Sequence, residues 1–129
     1  MTVSRSGDGT RTVDRWDEVF RAVSAEPRRQ LIVSVMDCPE GEPASLPEAA
    51  VSQELSIDPR RLRNELQHVH LPLLSDLGFV EWESDPFVAF RGPRFEEVGA
   101  IFEALYDSST DLPDPLVVGC RRLERERNA

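Results

Sequence analysis

The stretch LRNELQHVHLPLLSDLGFVEWE, residues 62–83, decides how this chain is read. Leu62, Leu66, Val69 and Leu73 step by four, three and four, which predicts one apolar stripe along an α-helix. Asp58 stands ahead of the stripe as an N-cap, with Pro59 as the first helical residue. Gly78 marks the stop, and Pro72, which has no N–H to donate, is expected to bend or end the helix before it. Beyond it FVEWES and FVAFR, rich in aromatic and β-branched residues, read as two strands of a hairpin turned at Asp85 and Pro86.

Working outward, Pro93 opens a further helix whose residues Phe95, Val98, Ile101, Phe102 and Leu105 form a wide apolar face. Upstream, Trp16, Val19, Phe20 and Val23 recur at helical spacing, and Pro27 starts a second helix that turns Leu31, Ile32 and Val35 inward. Between DCPEGEP and the long helix, Ser45 and Glu48 have capping-box spacing and Pro47 falls in the first turn, which predicts a short third helix to about Leu55. Residues 1–13 are polar and read as a flexible arm, with order beginning near Asp14. The tail, 107–129, opens with prolines and ends in an Arg/Glu alternation. It reads as partly disordered or as a short helix from about Pro115, with Leu116, Val117 and Cys120 docking.

Composition narrows the class. The chain has 129 residues, room for one compact domain, and 24 acidic against 15 basic residues for a net charge of −9. All the basic residues are arginine. A lysine-free acidic surface is what a cytoplasm of very high salt favours, and a GC-rich genome that favours arginine codons gives the same bias. With this net charge, nucleic-acid binding has to rest on a local patch. Two cysteines, Cys38 and Cys120, lie too far apart for a metal motif and read as free thiols. No signal-like or membrane-spanning apolar run is present, so a soluble, cytoplasmic protein is expected.

At about 100° per residue, the side of the long helix opposite its leucines carries Arg60, Asn64, Gln67, His68 and Leu71, with Arg61 and Arg63 on the flanks. Arginine reads guanine and phosphate, and asparagine and glutamine read adenine, so the candidate DNA-binding residues are Arg60, Arg61, Arg63, Asn64, Gln67 and His68. The alternative is an ordinary solvated face, since Arg60, Arg61 and Arg63 against Glu65 and Asp76 leave only a local excess of +1 over 59–76. His68 and His70, the only two histidines, lie about 160° apart on a helix and cannot grip one metal ion. Val69 is expected in the core, and His70 at its margin with its ring hydrogen-bonded to the neighbouring element. Arg28 and Arg29 fit either phosphate contacts or surface pairs with Glu26 or Asp17. No catalytic motif or phosphate-binding glycine loop is present, and neither an enzyme nor a cofactor is expected.

The segment SAEPRRQLIVSVM is similar to the opening of the ArsR-type repressor superfamily, and residues 62–83 resemble its recognition helix running into the wing. The string HVHLPLLSDLGFVE resembles the small winged-helix proteins of halophilic archaea. This resemblance covers residues 14–106. It implies a mainly α winged helix-turn-helix, about five helices plus a two-stranded wing, acting as a DNA-binding transcriptional regulator through a recognition helix at about 59–76. It also implies a homodimer, here through the first and fifth helices. Two features depart from the pattern: the DCPEGEPAS insertion, and an acidic wing carrying Glu81, Glu83 and Asp85. The alternative is a dimerising protein-interaction adaptor with the same fold that does not bind DNA. A third reading is a ligand- or redox-responsive switch using Cys38.

Overall fold

The structure, a computed structural model, describes residues 2–52 and 55–129, with side chains from residue 9 onward. It is mainly helical. Helix α1 (Thr2–Ala22) and helix α2 (Glu26–Asp37) lead to a two-residue strand β1 (Ala44–Ser45) and a 3₁₀ turn (Glu48–Ala50). Helix α3 (Pro59–Glu65) passes through a π-helical turn (Leu66–His70) into α4 (Leu71–Asp76). Strands β2 (Val80–Ser84) and β3 (Phe87–Arg91) form the hairpin. Helix α5 (Phe95–Asp107), a second 3₁₀ turn (Ser109–Asp111), α6 (Asp114–Val117) and α7 (Arg121–Asn128) complete the chain.

The hairpin is where FVEWES and FVAFR placed it, antiparallel with Trp82 opposite Ala89. It is not two-stranded. β1 pairs with β3, Ala44 opposite Ala89 and Ser45 opposite Val88, so the sheet runs β1-β3-β2. This pairing also displaces the expected third helix. Ser45 is committed to the sheet rather than to a cap, and the Leu46 N–H donates to the Phe87 carbonyl at 2.9 Å. What remains of that helix is the turn Glu48–Ala50; Val51 and Ser52 are not helical, and Gln53 and Glu54 lie outside the described residues.

The core forms where α2 meets everything else. Leu31, Ile32 and Val35 of α2 are buried against Leu62 and Leu66, Leu71 and Leu74, Phe79 and Val80, and Phe95 and Val98. Each such side chain contributes about 1.5–3 kcal/mol on leaving water. Two expectations for the first helix differ. α1 begins at Thr2, well before Asp14, although residues 9–17 are all exposed, and Arg15 in this part reaches Glu97 of α5 at 2.6 Å. Its buried side is Val19 and Ala22, while Trp16 and Phe20 face outward and stack on each other at 5.7 Å. In the tail, Val117 is buried and Leu116 exposed, and Arg122 ties α7 to Asp37 of α2 at 2.7 Å.

Arg94 fastens the hairpin to the helices. Its Nη1 donates to the Leu77 carbonyl at 2.9 Å, its guanidinium lies 4.9 Å from the Phe79 ring centroid, and it pairs with Glu97 and with Glu18, each at 2.9 Å. The end of α4, the start of β2, α5 and α1 are thereby joined through one side chain. The hydrogen bonds to Glu97 and Glu18 hold its pKa above the ordinary arginine value despite partial burial.

Candidate nucleic-acid interface

Helix α3 starts where Asp58 and Pro59 require. The Asp58 carboxylate accepts from the Arg60 N–H at 3.0 Å, satisfying a donor that a helix N-terminus leaves open, and Pro59 sits in the first turn. Leu62 and Leu66 then lie fully buried on the inner side. Arg60, Arg61, Asn64 and His68 are exposed on the other, Arg63 is exposed beside the hairpin, and Gln67 is half-buried. The outward placement expected for the first two turns is therefore the one observed.

Past Leu66 the phase changes. The Leu71 N–H donates to the Leu66 carbonyl, five residues back, which closes one π turn. Val69, expected in the core, is 52% exposed, whereas His70 is only 7% exposed. Leu71, expected outside, is fully buried together with Leu74, and Leu73 is half-buried. The physical reason is Pro72. In a regular α-helix its ring would press on the carbonyl of residue 68 and leave that carbonyl without a donor. A wide turn just ahead of the proline absorbs the extra residue, so the helix continues to Asp76 instead of ending.

The flanking arginines are already engaged. Arg61 Nε donates to Glu65 Oε2 at 3.0 Å, an i, i+4 pair. The Arg63 guanidinium lies 4.4 Å from the centroid of the Phe87 ring, which meets Trp82 edge-on. Stacking uses the face of a guanidinium and leaves its in-plane N–H groups directed outward. Among the described residues Arg60 makes no side-chain hydrogen bond or ion pair, and it stands exposed on the first turn. On the hairpin, Glu81, Glu83 and Asp85 are all exposed, so an acidic strand and tip stand beside the arginine-bearing turns.

The histidines diverge, one outward and one inward, and among the described residues no three His, Cys, Asp or Glu side chains converge as a metal would need. His70 Nδ1 accepts from Arg28 Nη1 at 2.9 Å. Arg28 itself is buried, contrary to both surface roles expected for it, while Arg29 donates to the Val23 carbonyl and lies 3.8 Å from Glu26. Sequence spacing gives no signal for the Arg28–His70 contact, which joins residues 42 apart in the chain. The platform role of Phe87 is hidden in the same way, since the residue reads simply as a strand aromatic.

Comparison with known proteins adds no family: no protein-family model, no curated protein and no solved structure matches the chain. Among the described residues no helix is long and apolar enough to cross a membrane.

Proposed function

We propose that the protein is a winged helix-turn-helix, ArsR-like transcriptional regulator of the cytoplasm that binds double-stranded DNA through α3. The observation that carries this reading is the exposed row Arg60, Arg61, Asn64 and His68, with Arg63 held at its edge on Phe87. A helix whose first turns present arginine and asparagine beside a β-hairpin has the chemistry to enter a major groove. Gln67, half-buried, reaches the groove only from the margin of this face. The lysine-free acidic remainder of the surface suits a high-salt cell of the kind found in halophilic archaea, where phosphate contacts are strongly weakened by salt and base contacts count for more.

The reading includes a homodimer through α1 and α5. Val13, Trp16 and Phe20 are exposed on one side of α1, and Leu105 is exposed on α5. A groove of about 250 Å³ lies between the two helices against Trp16, Val19 and Ile101. Covering this surface with a second copy would place two α3 helices for successive half-sites. Light scattering in molar KCl should give a dimer, and Trp16→Glu with Phe20→Glu should give a monomer.

The test of DNA binding is genome-wide immunoprecipitation from a high-salt host, repeated with Arg60→Ala, Arg63→Ala and Asn64→Ala combined. Enriched sites that vanish in the triple variant support the assignment. No enriched site for the wild type, or the same sites for the variant, removes it. The acidic hairpin, with Glu81, Glu83 and Asp85 exposed, favours a second reading in which the same dimer serves as a protein-interaction adaptor without DNA.

A further inference from the structure

His70 and Val69 compete for one place. The repeat Leu62, Leu66, Val69 and Leu73 is that of an uninterrupted α-helix with Val69 inside, yet the folded helix takes a π turn that buries His70 and leaves Val69 in water. Exposing a valine while burying an imidazole is unfavourable unless the imidazole gains a specific partner. That partner is Arg28. Its Nε donates to the Ala22 carbonyl at 2.9 Å, its Nη2 to the Arg21 carbonyl at 3.1 Å and to Ser24 Oγ at 2.9 Å, and its Nη1 to His70 Nδ1 at 2.9 Å. One guanidinium thus caps the end of α1 and grips the π turn.

The protonation state follows from donor counting. Guanidinium has only donors, so Nδ1 of His70 carries the lone pair and the ring proton sits on Nε2, facing Glu65 Oε1 at 3.7 Å. A second ring proton would turn the acceptor into a donor aimed at Arg28. The charged groups around the ring are Arg28 from α2 and Glu65 from α3, with Arg21 and Arg29 adding positive charge at Arg28. Glu65 favours the imidazolium, but it is shared with Arg61.

We propose that the Arg28–His70 contact is a proton-operated latch on the helix that carries the candidate DNA-binding face. With His70 neutral, the π turn holds and Arg60, Asn64 and His68 keep the phase described above relative to the hairpin. When His70 is protonated, Nδ1 becomes a donor facing Arg28, the contact breaks, and the π turn is no longer tied to the end of α1. Pro72 and the buried Leu71 and Leu74 keep the segment from returning to a regular α period. Its release loosens the helix beside the hairpin and so regulates the surface that both present. Burial first, and the Arg28 charge second, hold the His70 pKa below its ordinary 6.5, with Glu65 opposing. The folded protein therefore binds this proton less readily than the unfolded chain, and the π register is kept above about pH 6.5 and loses stability as pH falls below it.

The latch is tested by NMR on the whole protein between about pH 7.5 and about pH 5, with His68→Asn used only to assign the two imidazoles. The expected result is that His70 titrates below 6.5, and that the amides of residues 66–71 and the Arg28 side-chain signals move on the same curve, with faster amide exchange across the π turn at low pH. His70→Asn, which keeps an acceptor near the Nδ1 position and does not titrate here, should abolish the step. Val69→Ala, at an exposed position, should fold normally and keep the step. Titration of His70 at or above 6.5, titration that leaves Arg28 and the amides of residues 66–71 unmoved, or an unchanged step in His70→Asn would each overturn the proposal.

Its regulatory meaning rests on the DNA-binding reading, and the two fail separately. Duplex affinity should fall about tenfold through the same step in the wild type but not in His70→Asn. Absence of DNA binding at neutral pH removes that reading, while the NMR titration still decides the latch.

Discussion

The guanidinium of Arg63 lies 4.4 Å from the centroid of the Phe87 ring, so a residue of α3 is stacked on the first residue of β3. This contact links the helix carrying the candidate interface to the hairpin beside it. It also limits the rotamers of an otherwise exposed arginine. A double-mutant cycle with Arg63→Ala and Phe87→Leu, followed by urea denaturation, should give a coupling of about 0.5–1 kcal/mol. Leucine is chosen at 87 because that position is buried and has to stay filled. A coupling indistinguishable from zero would mean that the stack does not order Arg63.

Gly92 admits no side chain. A Cβ there would lie 2.5 Å from the Gly78 carbonyl oxygen and 2.8 Å from both the Phe79 carbonyl carbon and the Val80 nitrogen. These are backbone atoms that the Gly92-to-Phe79 and Arg94-to-Gly78 hydrogen bonds hold in place. Gly92→Ala should destabilise the protein by about 1–3 kcal/mol or more. Gly9→Ala, where nothing lies within 4 Å, should be neutral or stabilise α1 by about 0.5–1 kcal/mol. Calorimetry on both variants compares a crowded with an open glycine.

Asp58→Ala should cost about 1 kcal/mol, the usual value for a lost N-cap, because the Arg60 N–H loses its acceptor. Urea denaturation measures the loss, and Asp58→Ser should restore most of it. Since the cap fixes where α3 begins, the alanine variant should also show faster amide exchange at residues 60–62 than elsewhere in the helix.

Acid should loosen the α1–α5 contact. Glu97 accepts from Arg94 at 2.9 and 3.0 Å and from Arg15 at 2.6 Å, and the Arg94 hydrogen bonds, more than any other cause, hold its pKa below the ordinary 4.5. A carboxylate with a lowered folded pKa contributes stability that is complete above the unfolded value and is lost as pH falls through the folded one. Glu97→Gln should therefore be less stable than wild type at neutral pH, with the difference shrinking below about pH 4. Thermal melts at neutral pH and near pH 3 check this, and an undiminished difference in acid would contradict it.

Much of the architecture could be read along the chain because it depends on local rules. Asp58 and Pro59 start α3, Gly78 with φ +82° ends the helical run, and the alternation from Val80 to Arg91 makes a hairpin, each acting within a few residues. Leu31, Ile32 and Val35 announced the buried side of α2, and Arg60, Asn64 and His68 the outward side of α3, through a 3.6-residue period. What these rules missed was decided by partners distant in sequence or by competition between local signals. Ser45 carried a capping pattern but pairs instead with Val88 of β3, a partner far along the chain that no local pattern announces. Trp16 and Phe20 continue the spacing of Val19 and Val23 yet stay outside, because the remaining helices cover only one side of α1.

The helix that opened the reading shows the division most clearly. By itself the sequence determined that a helix lies here, where it starts and stops, and which residues its first two turns present to solvent. Only the tertiary structure decided the phase of its second half. Pro72 strains a regular turn, Arg28 arrives from another helix with a donor to spare, and together they make a π turn with His70 inside more stable than an α turn with Val69 inside. Periodicity ranks residues by apolarity, and a buried hydrogen bond between residues 42 apart is outside what it can register.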